Sequence, residues 1–278
     1  MASALPTAIT FIGFGEVGQT FSRGLLASGA VRIRAFDSLF GASAGRRLEA
    51  AAVALGVTCH ATLAEAITGS GIVYSAVTAS AAEDVARSAS AVIEQGQLYV
   101  DVNSAAPSTK QRCAALIEAA GGRYLEAAVM APVLKPGLAV PILAGGPHAA
   151  DAAVRLNRLG MNLSAVSDVF GRASAMKLCR SIIIKGLEAL LVDCKAATEA
   201  AGVTDEVFAS LGQTFPSIDW PALADAMRER VAVHGVRRAA EMREAGEMLD
   251  AMGLNPALAL AVADAQQRGA IPNDEIAR

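Results

Sequence analysis

The rhythm of hydrophobic and polar positions changes near residue 170. Before it, short apolar, β-rich runs alternate with Ala-rich windows in which apolar residues recur at helical spacing. The runs are "AITFIGFG", "VRIRAFD", "VTCH", "GIVYSAV", "QLYVDVN", "RYLEAAV", "LAVPILAGG" and "NLSAVSDV". The helical windows are Glu16–Ser28, Ala42–Leu55, Thr62–Thr68, Ala79–Glu94, Pro107–Ala120 and His148–Leu159. Strands that are apolar throughout and are followed by helices predict a mostly parallel sheet covered on both faces. From Gly171 onward the strand runs stop. "RASAMKLCRSIIIKGLEALLVDCKAATEAAG" predicts one helix of about thirty residues ending at Gly202, and the remaining segments predict further helices separated by Gly and Pro breakers. The expected fold class is α/β: a mostly parallel sheet in residues 1–169, then an all-helical domain in residues 170–278. No low-complexity linker joins the halves, so packed rather than tethered domains are expected.

The 278 residues suffice for about two domains. Hydrophobic residues make up 53% and charged residues 18%, which excludes a disordered chain. The net charge of −3 gives no basic patch for a nucleic acid, so no nucleic-acid partner is expected. A mean hydropathy of +0.40 is high. Lys185 and Glu188 interrupt the longest apolar stretch, so buried helices and a subunit interface are expected in place of a membrane span. Cys59, Cys113, Cys179 and Cys194 are widely spaced and the three histidines are scattered, so neither a metal site nor a disulfide framework is expected. Free thiols suit a cytoplasmic protein. The opening "MASALPTAITFIG" has no basic region followed by a cleavable apolar one, and no export signal is expected.

The first run leads into Gly13-Phe14-Gly15-Glu16-Val17-Gly18 and then an apolar helix. A G-x-G-x-x-G loop between strand and helix fits a dinucleotide. The first glycine permits the turn, the second lets backbone approach a pyrophosphate, and the third lets helix and strand pack closely. The helix N-terminus adds N–H groups and a positive dipole end. This predicts a Rossmann-type nucleotide-binding domain. Asp37 closes the second strand nineteen residues after Gly18, near the ~20 expected of an acid on a ribose 2′-hydroxyl. A carboxylate there favours NAD over NADP, although Arg46 or Arg47 could meet a 2′-phosphate. Val77 and Thr78, after the fourth strand, fall where a dinucleotide's ribose passes.

One charge stands out. Lys177 sits among Ala, Met, Leu and Cys in "GRASAMKLCRS". A lysine in such surroundings snorkels to water, finds a partner or loses its proton. At ~100° per residue, Lys177, Arg180, Ser181, Ile184 and Glu188 share a helix face. Such a stripe would suit the lining of a cleft.

Taken in order, "GFGEVG", "DVNSAAPS", "EAAVMAPV" and "GRASAMKLCRS" resemble the β-hydroxyacid dehydrogenases, relatives of 3-hydroxyisobutyrate and 6-phosphogluconate dehydrogenases. The tail "HGVRRAAEMREAGEMLDAMG" resembles a branch whose C-terminal domain has no assigned function. The resemblance implies that Lys177, six residues after Gly171, is the acid/base. It implies that Asn103 and Ser104 lie in a strand-end loop beside the nicotinamide. Met130, Ala131 and Pro132 stand where the family has a Ser-Gly-Gly substrate loop. Arg180 and Ser181 stand where it often has paired asparagines. These departures point to a more apolar or differently charged substrate. The resemblance also implies a homodimer formed through the helical domain.

Oxidising an alcohol sends hydride to the cofactor and requires an acceptor for the hydroxyl proton, which a lysine of depressed pKa supplies. Partial burial and Arg180 would depress it. Arg237 and Arg238, on a helical face with His234 and Glu241, are further candidates for holding a substrate carboxylate. The expected function is hydride transfer between NAD or NADP and a small β-hydroxy acid or related compound. Imine reduction on the same architecture, and a non-catalytic NAD(H)-binding regulator, are the other two readings. Imine reductases often carry Asp or Tyr at the lysine position, which favours the alcohol reading.

Overall fold

The computed structural model describes residues 7–27, 29 and 31–270. Two sequence expectations, the absence of an export signal in residues 1–6 and the end of the first helical window at Ser28, lie outside these residues. The chain divides into two units, Met1–Lys177 and Leu178–Arg278.

In the first unit all eight apolar runs become strands: β1 (Thr7–Ile12), β2 (Val31–Phe36), β3 (Thr58–Cys59), β4 (Ile72–Ser75), β5 (Leu98–Asp101), β6 (Arg123–Val129), β7 (Pro141–Gly145) and β8 (Asn162–Ser167). They form one sheet in the order β3-β2-β1-β4-β5-β6-β7-β8. The helices between them are α1 (Glu16–Ala27), α2 (Arg46–Ala54), α3 (Leu63–Ile67), α4 (Ala82–Ser90), α5 (Pro107–Ala119) and α6 (Ala149–Asn157). Every strand pair is parallel except β6 with β7. The reason is local. A parallel return needs a crossover of a dozen or more residues, usually a helix. Residues 130–140 supply only one short 3-10 turn, Gly137–Ala139, so β7 runs back beside β6.

The apolar core lies on both sides of the sheet, which explains why the central strands β4 and β5 are buried at every position, whereas β2 alternates. On one side Phe11 and Tyr74 stack at 4.9 Å and Phe21 meets the Tyr74 edge. On the other, Tyr99 stacks on Tyr124 at 6.0 Å. Such pairs add about 0.5–1.5 kcal/mol each beyond the area they bury.

The long helix α7 (Arg172–Ala201) carries the chain into the second unit, with α8 (Thr204–Thr214), α9 (Trp220–Ala251) and α10 (Ala257–Gly269). Asp219 caps α9 through the Ala222 N–H and Pro221 sits in its first turn. Gly235 lies inside α9. A Cβ there would stand 2.3 Å from the Gln266 carbonyl oxygen, so this glycine serves the close approach of α9 and α10. Met227, Met242 and Met248 are buried in this unit, and Trp220 packs edge-on against Phe215. Among the described residues no helix is long and apolar enough to cross a membrane.

Candidate active site

The site grows from the carboxyl ends of the parallel strands, where the loops of an α/β sheet gather. β1 turns into α1 through the glycine loop. Gly13 has φ +86°, and a Cβ on it would lie 2.4 Å from the Ala76 carbonyl oxygen. A Cβ on Gly18 would lie 2.7 Å from the Gly13 carbonyl oxygen. Both glycines are demanded by the protein's own packing. Gly15 is different: its φ is not positive and nothing lies within 4 Å of where a Cβ would be. Among the described residues nothing requires glycine at 15, and the space over its backbone is open to a ligand. Glu16 and Val17 open α1, where the first N–H groups have no acceptor within the helix. This cradle fits a dinucleotide's pyrophosphate.

Asp37 lies beside the loop. Its Oδ2 accepts the Phe14 N–H at 2.8 Å and its Oδ1 accepts the Leu39 N–H at 3.0 Å. The carboxylate thus ties the glycine loop to the end of β2, and each oxygen keeps capacity for another donor. The Phe14 N–H is taken by Asp37. Arg46 and Arg47 are exposed at the start of α2.

The next two strand ends are stitched together by Asn103. Its Oδ1 accepts the Val77 N–H at 2.7 Å and its Nδ2 donates to Ser75 Oγ at 2.9 Å. Asn103 was expected to bind the cofactor. Its side chain is instead buried and committed to Val77 and Ser75, so it shapes the loops that flank the nucleotide cradle. Thr78 is exposed, 3.2 Å from Ser80 Oγ.

Asp101 anchors this loop from below. Its Oδ1 accepts the Asn103 N–H at 2.9 Å and Lys110 Nζ at 2.7 Å, and its Oδ2 accepts the Tyr124 hydroxyl at 2.6 Å. Lys110 and Asp101 are an almost fully buried ion pair. Burial, with Asp101 second, pushes the neighbouring Cys113 thiol up to about 12. Nothing in the sequence singled out Lys110, because which face of α5 the sheet covers is a tertiary matter.

Ser104 follows Asn103, and Lys177 reaches it from α7. The Lys177 Nζ donates to Ser104 Oγ at 2.5 Å, and Lys177 is only 9% exposed. Of the three fates open to a lysine in apolar surroundings, this one has found a partner. An amine held against a hydroxyl at the strand-end edge can move a proton at a substrate oxygen. The structure therefore gathers Gly13–Gly18, Asp37, Val77, Asn103, Ser104 and Lys177 along one edge of the first unit.

Other expected residues have different surroundings. Met130 is half-buried and its N–H donates to the Pro141 carbonyl at 2.9 Å; Ala131 and Pro132 are exposed. In the second unit, Arg180 is exposed, while Ser181 is buried and donates to Glu241 at 2.6 Å. Lys185 joins them, 3.0 Å from Glu241 Oε1; burial holds its pKa down, partly offset by Glu241. Arg237 is exposed. Arg238, expected to bind a substrate carboxylate, is corrected by its surroundings. Its Nε donates to Glu188 Oε2 at 2.8 Å and its Nη2 bonds Glu188 Oε1. The fork is spent on a carboxylate of its own chain. Arg230 and Gln266 also bond Glu188, at 3.2 Å each.

Comparison with known proteins follows the same division. Residues 8–105 match the family described as "NADP oxidoreductase coenzyme F420-dependent". Residues 198–269 match "Domain of unknown function (DUF1932)". No curated protein matches the chain in sequence. Among solved structures, a conserved hypothetical protein from Sinorhizobium meliloti 1021 is 40% identical, with a TM-score of 0.79 over 94% of this chain and 88% of that one. The conserved protein MTH1747, described as of unknown function and structurally similar to 3-hydroxyacid dehydrogenases, is 30% identical, with a TM-score of 0.75 over 94% of this chain and 97% of that one. The Mycobacterium tuberculosis 3-hydroxyisobutyrate dehydrogenase, solved with L-serine, shares the fold at 18% identity, with a TM-score of 0.78 over 94% and 93% of the two chains. With its eight-stranded, mostly parallel sheet and its C-terminal helices, the chain belongs to the β-hydroxyacid dehydrogenase superfamily of oxidoreductases, in the branch that carries the DUF1932 domain.

Proposed function

We propose that the protein is a nicotinamide-dependent oxidoreductase that interconverts a small β-hydroxy compound and its keto form, with Lys177 as the acid/base. The observation that carries this is the 2.5 Å bond between Lys177 and Ser104, at the strand-end edge that also holds the glycine loop. The residues that would hold the dinucleotide are Gly13, Gly15 and Gly18, the N–H groups of Glu16 and Val17, Asp37, and the Val77–Thr78 segment. When bound, the nicotinamide supplies the hydride acceptor or donor.

The chain supplies the rest. As the neutral amine, Lys177 takes the hydroxyl proton while the carbonyl forms. As ammonium it returns that proton in the opposite direction and stabilises alkoxide character on the oxygen. Ser104 orients the amine and offers its own hydroxyl to the same oxygen. Asp37 supports NAD over NADP, since a carboxylate accepts from a ribose 2′-hydroxyl and repels a 2′-phosphate. The substrate read from residues 130–132 is less polar than a simple hydroxy acid. Pro132 has no N–H and the Met130 N–H already serves Pro141. That same loop favours, as a second reading, reduction of an apolar imine, with Lys177 as the proton donor to nitrogen.

The test is a turnover screen of β-hydroxy acids, β-hydroxy esters and cyclic imines with NAD(H) and NADP(H), on wild type and Lys177→Ala. Turnover of a β-hydroxy compound that Lys177→Ala abolishes supports the proposal. Turnover confined to imines supports the second reading. Nucleotide binding with no turnover would favour a regulator.

We also infer a homodimer through the helical unit. Ile183 and Leu190 lie two turns apart on α7 and are 70% and 69% exposed. Light scattering checks this: a wild-type dimer becomes monomeric when both are changed to Glu, and a wild-type monomer rejects the inference.

A further inference from the structure

Asp101 on β5 and Glu126 on β6 are register partners, and both are almost completely buried. Two carboxylates side by side in an apolar sheet are costly unless each is satisfied. Asp101 is satisfied by the loop that carries Ser104. Glu126 is satisfied by the helix that carries Lys177. Its Oε2 accepts the Gly171 N–H and its Oε1 accepts the Ser174 N–H, both at 2.5 Å. These donors belong to the turn that opens α7, which has no acceptors of its own. The negative charge also sits at the positive end of the α7 dipole.

The surroundings are built around this carboxylate. Gly145, across from Glu126 on antiparallel β7, has no left-handed φ to explain it. A Cβ on Gly145 would lie 2.8 Å from Glu126 Oε2, so the glycine leaves room for the oxygen. Gly171, by contrast, takes φ +93°, the turn that aims its N–H at Glu126. Phe170, just before it, packs edge-on against Tyr124, the residue whose hydroxyl bonds Asp101. Lys177 follows Ser174 by three residues on the helix so fixed.

We propose that Glu126 is a positioning residue for Lys177: by capping α7 from β6 it sets the depth and direction from which the amine meets Ser104. This deepens the acid/base reading of Lys177 and rests on it.

The experiment uses the full chain and two variants. Glu126→Gln keeps the shape but gives up one acceptor oxygen and the charge. Gly145→Ala keeps Glu126 but crowds its carboxylate. Residue-resolved amide exchange and acylation of Lys177 by acetic anhydride, read by mass spectrometry, are compared with kcat and KM on whichever substrate the screen yields. In Glu126→Gln, exchange at Gly171 and Ser174 should rise roughly 3- to 30-fold, the range of a lost helix cap, while β1 amides keep wild-type rates. Lys177 acylation should rise with it, and kcat should fall while KM holds. Gly145→Ala should show the same pattern in weaker form, and it keeps the test alive if Glu126→Gln does not fold. Unchanged exchange and acylation in both variants would overturn the proposal, as would loosened amides with acylation and kcat at wild-type values. The two readings fail separately. If Lys177→Ala retains turnover the acid/base role falls, yet exchange and acylation still report whether Glu126 fixes the lysine.

Discussion

Lys177 and Ser104 lie seventy-three residues apart in sequence and 2.5 Å apart in space, one on a helix and one in a strand-end loop. Neither residue means much alone. Together they place an amine and a hydroxyl beside the nucleotide cradle. Lys177→Ala should lower kcat/KM by roughly 10²- to 10⁴-fold, the usual share of a general acid/base. Ser104→Ala, which removes one hydrogen bond, should cost about tenfold. Steady-state kinetics checks both, and dinucleotide affinity should stay within about threefold of wild type in each.

The glycine loop predicts a contrast between two similar substitutions. Gly13→Ala meets the Ala76 carbonyl and a positive φ, and should lower stability by about 1–3 kcal/mol. Gly15→Ala meets nothing among the described residues and should leave the unfolding midpoint unchanged while weakening dinucleotide binding. Urea titration beside NADH fluorescence separates the two. Normal dinucleotide binding by Gly15→Ala would mean that this loop does not hold the pyrophosphate.

Asp37 serves the loop and, in the proposed function, the ribose. Asp37→Ala should weaken NADH binding roughly 10- to 100-fold, the worth of a charge-assisted hydrogen bond, and narrow the gap between NADH and NADPH. NADPH binding that is tighter than NADH in wild type and insensitive to Asp37→Ala would assign the nucleotide's ribose to Arg46 or Arg47 instead.

The Glu188–Arg238 pair should prove structural. Removing Arg238 takes the bidentate partner from a buried carboxylate and leaves it only Arg230 and Gln266, so Arg238→Met should cost up to about 3–5 kcal/mol of unfolding free energy. Arg238→Met with Glu188→Leu should recover much of that loss. Chemical denaturation of the single and double variants measures it. A single variant of normal stability that lost substrate affinity would return Arg238 to the substrate.

Cys113 gives the molecule an alkaline limit. Its thiol is raised from the ordinary 9.0 to about 12, so the folded protein keeps a proton that the unfolded chain loses. Stability therefore falls as pH rises from 9.0 towards 12, by about 1 kcal/mol near pH 9.5 from this group. Cys113→Ala should flatten that slope relative to wild type. Urea midpoints at neutral pH and near pH 9.5 would show it, and parallel slopes would refute it.

Much of this protein was legible in its residues. Eight apolar runs are eight strands, and the central β4 and β5 are buried at every position because the sheet is covered there on both faces, while β2 alternates. The long helix starts and stops beside Gly171 and Gly202, which both take positive φ. The glycine loop could be read because its three glycines recur at a fixed spacing between a strand and a helix, although the Ala76 carbonyl that crowds Gly13 comes from the end of a distant strand. Those features leave their mark in residues close together along the chain, so the sequence alone was enough to read them.

What needed tertiary structure was the fate of each charge. Helical periodicity placed Arg238 on a polar stripe, yet it turns into Glu188 across the space between α7 and α9. Lys110 and Glu126 looked like ordinary residues of a helix and a strand. Burial makes one the counter-ion of Asp101 and the other the cap of α7. The reversal of β7 was set by a connection too short and too irregular to cross the sheet. A buried charge must find its partner wherever the fold brings one, often far along the chain, and no local pattern records that distance.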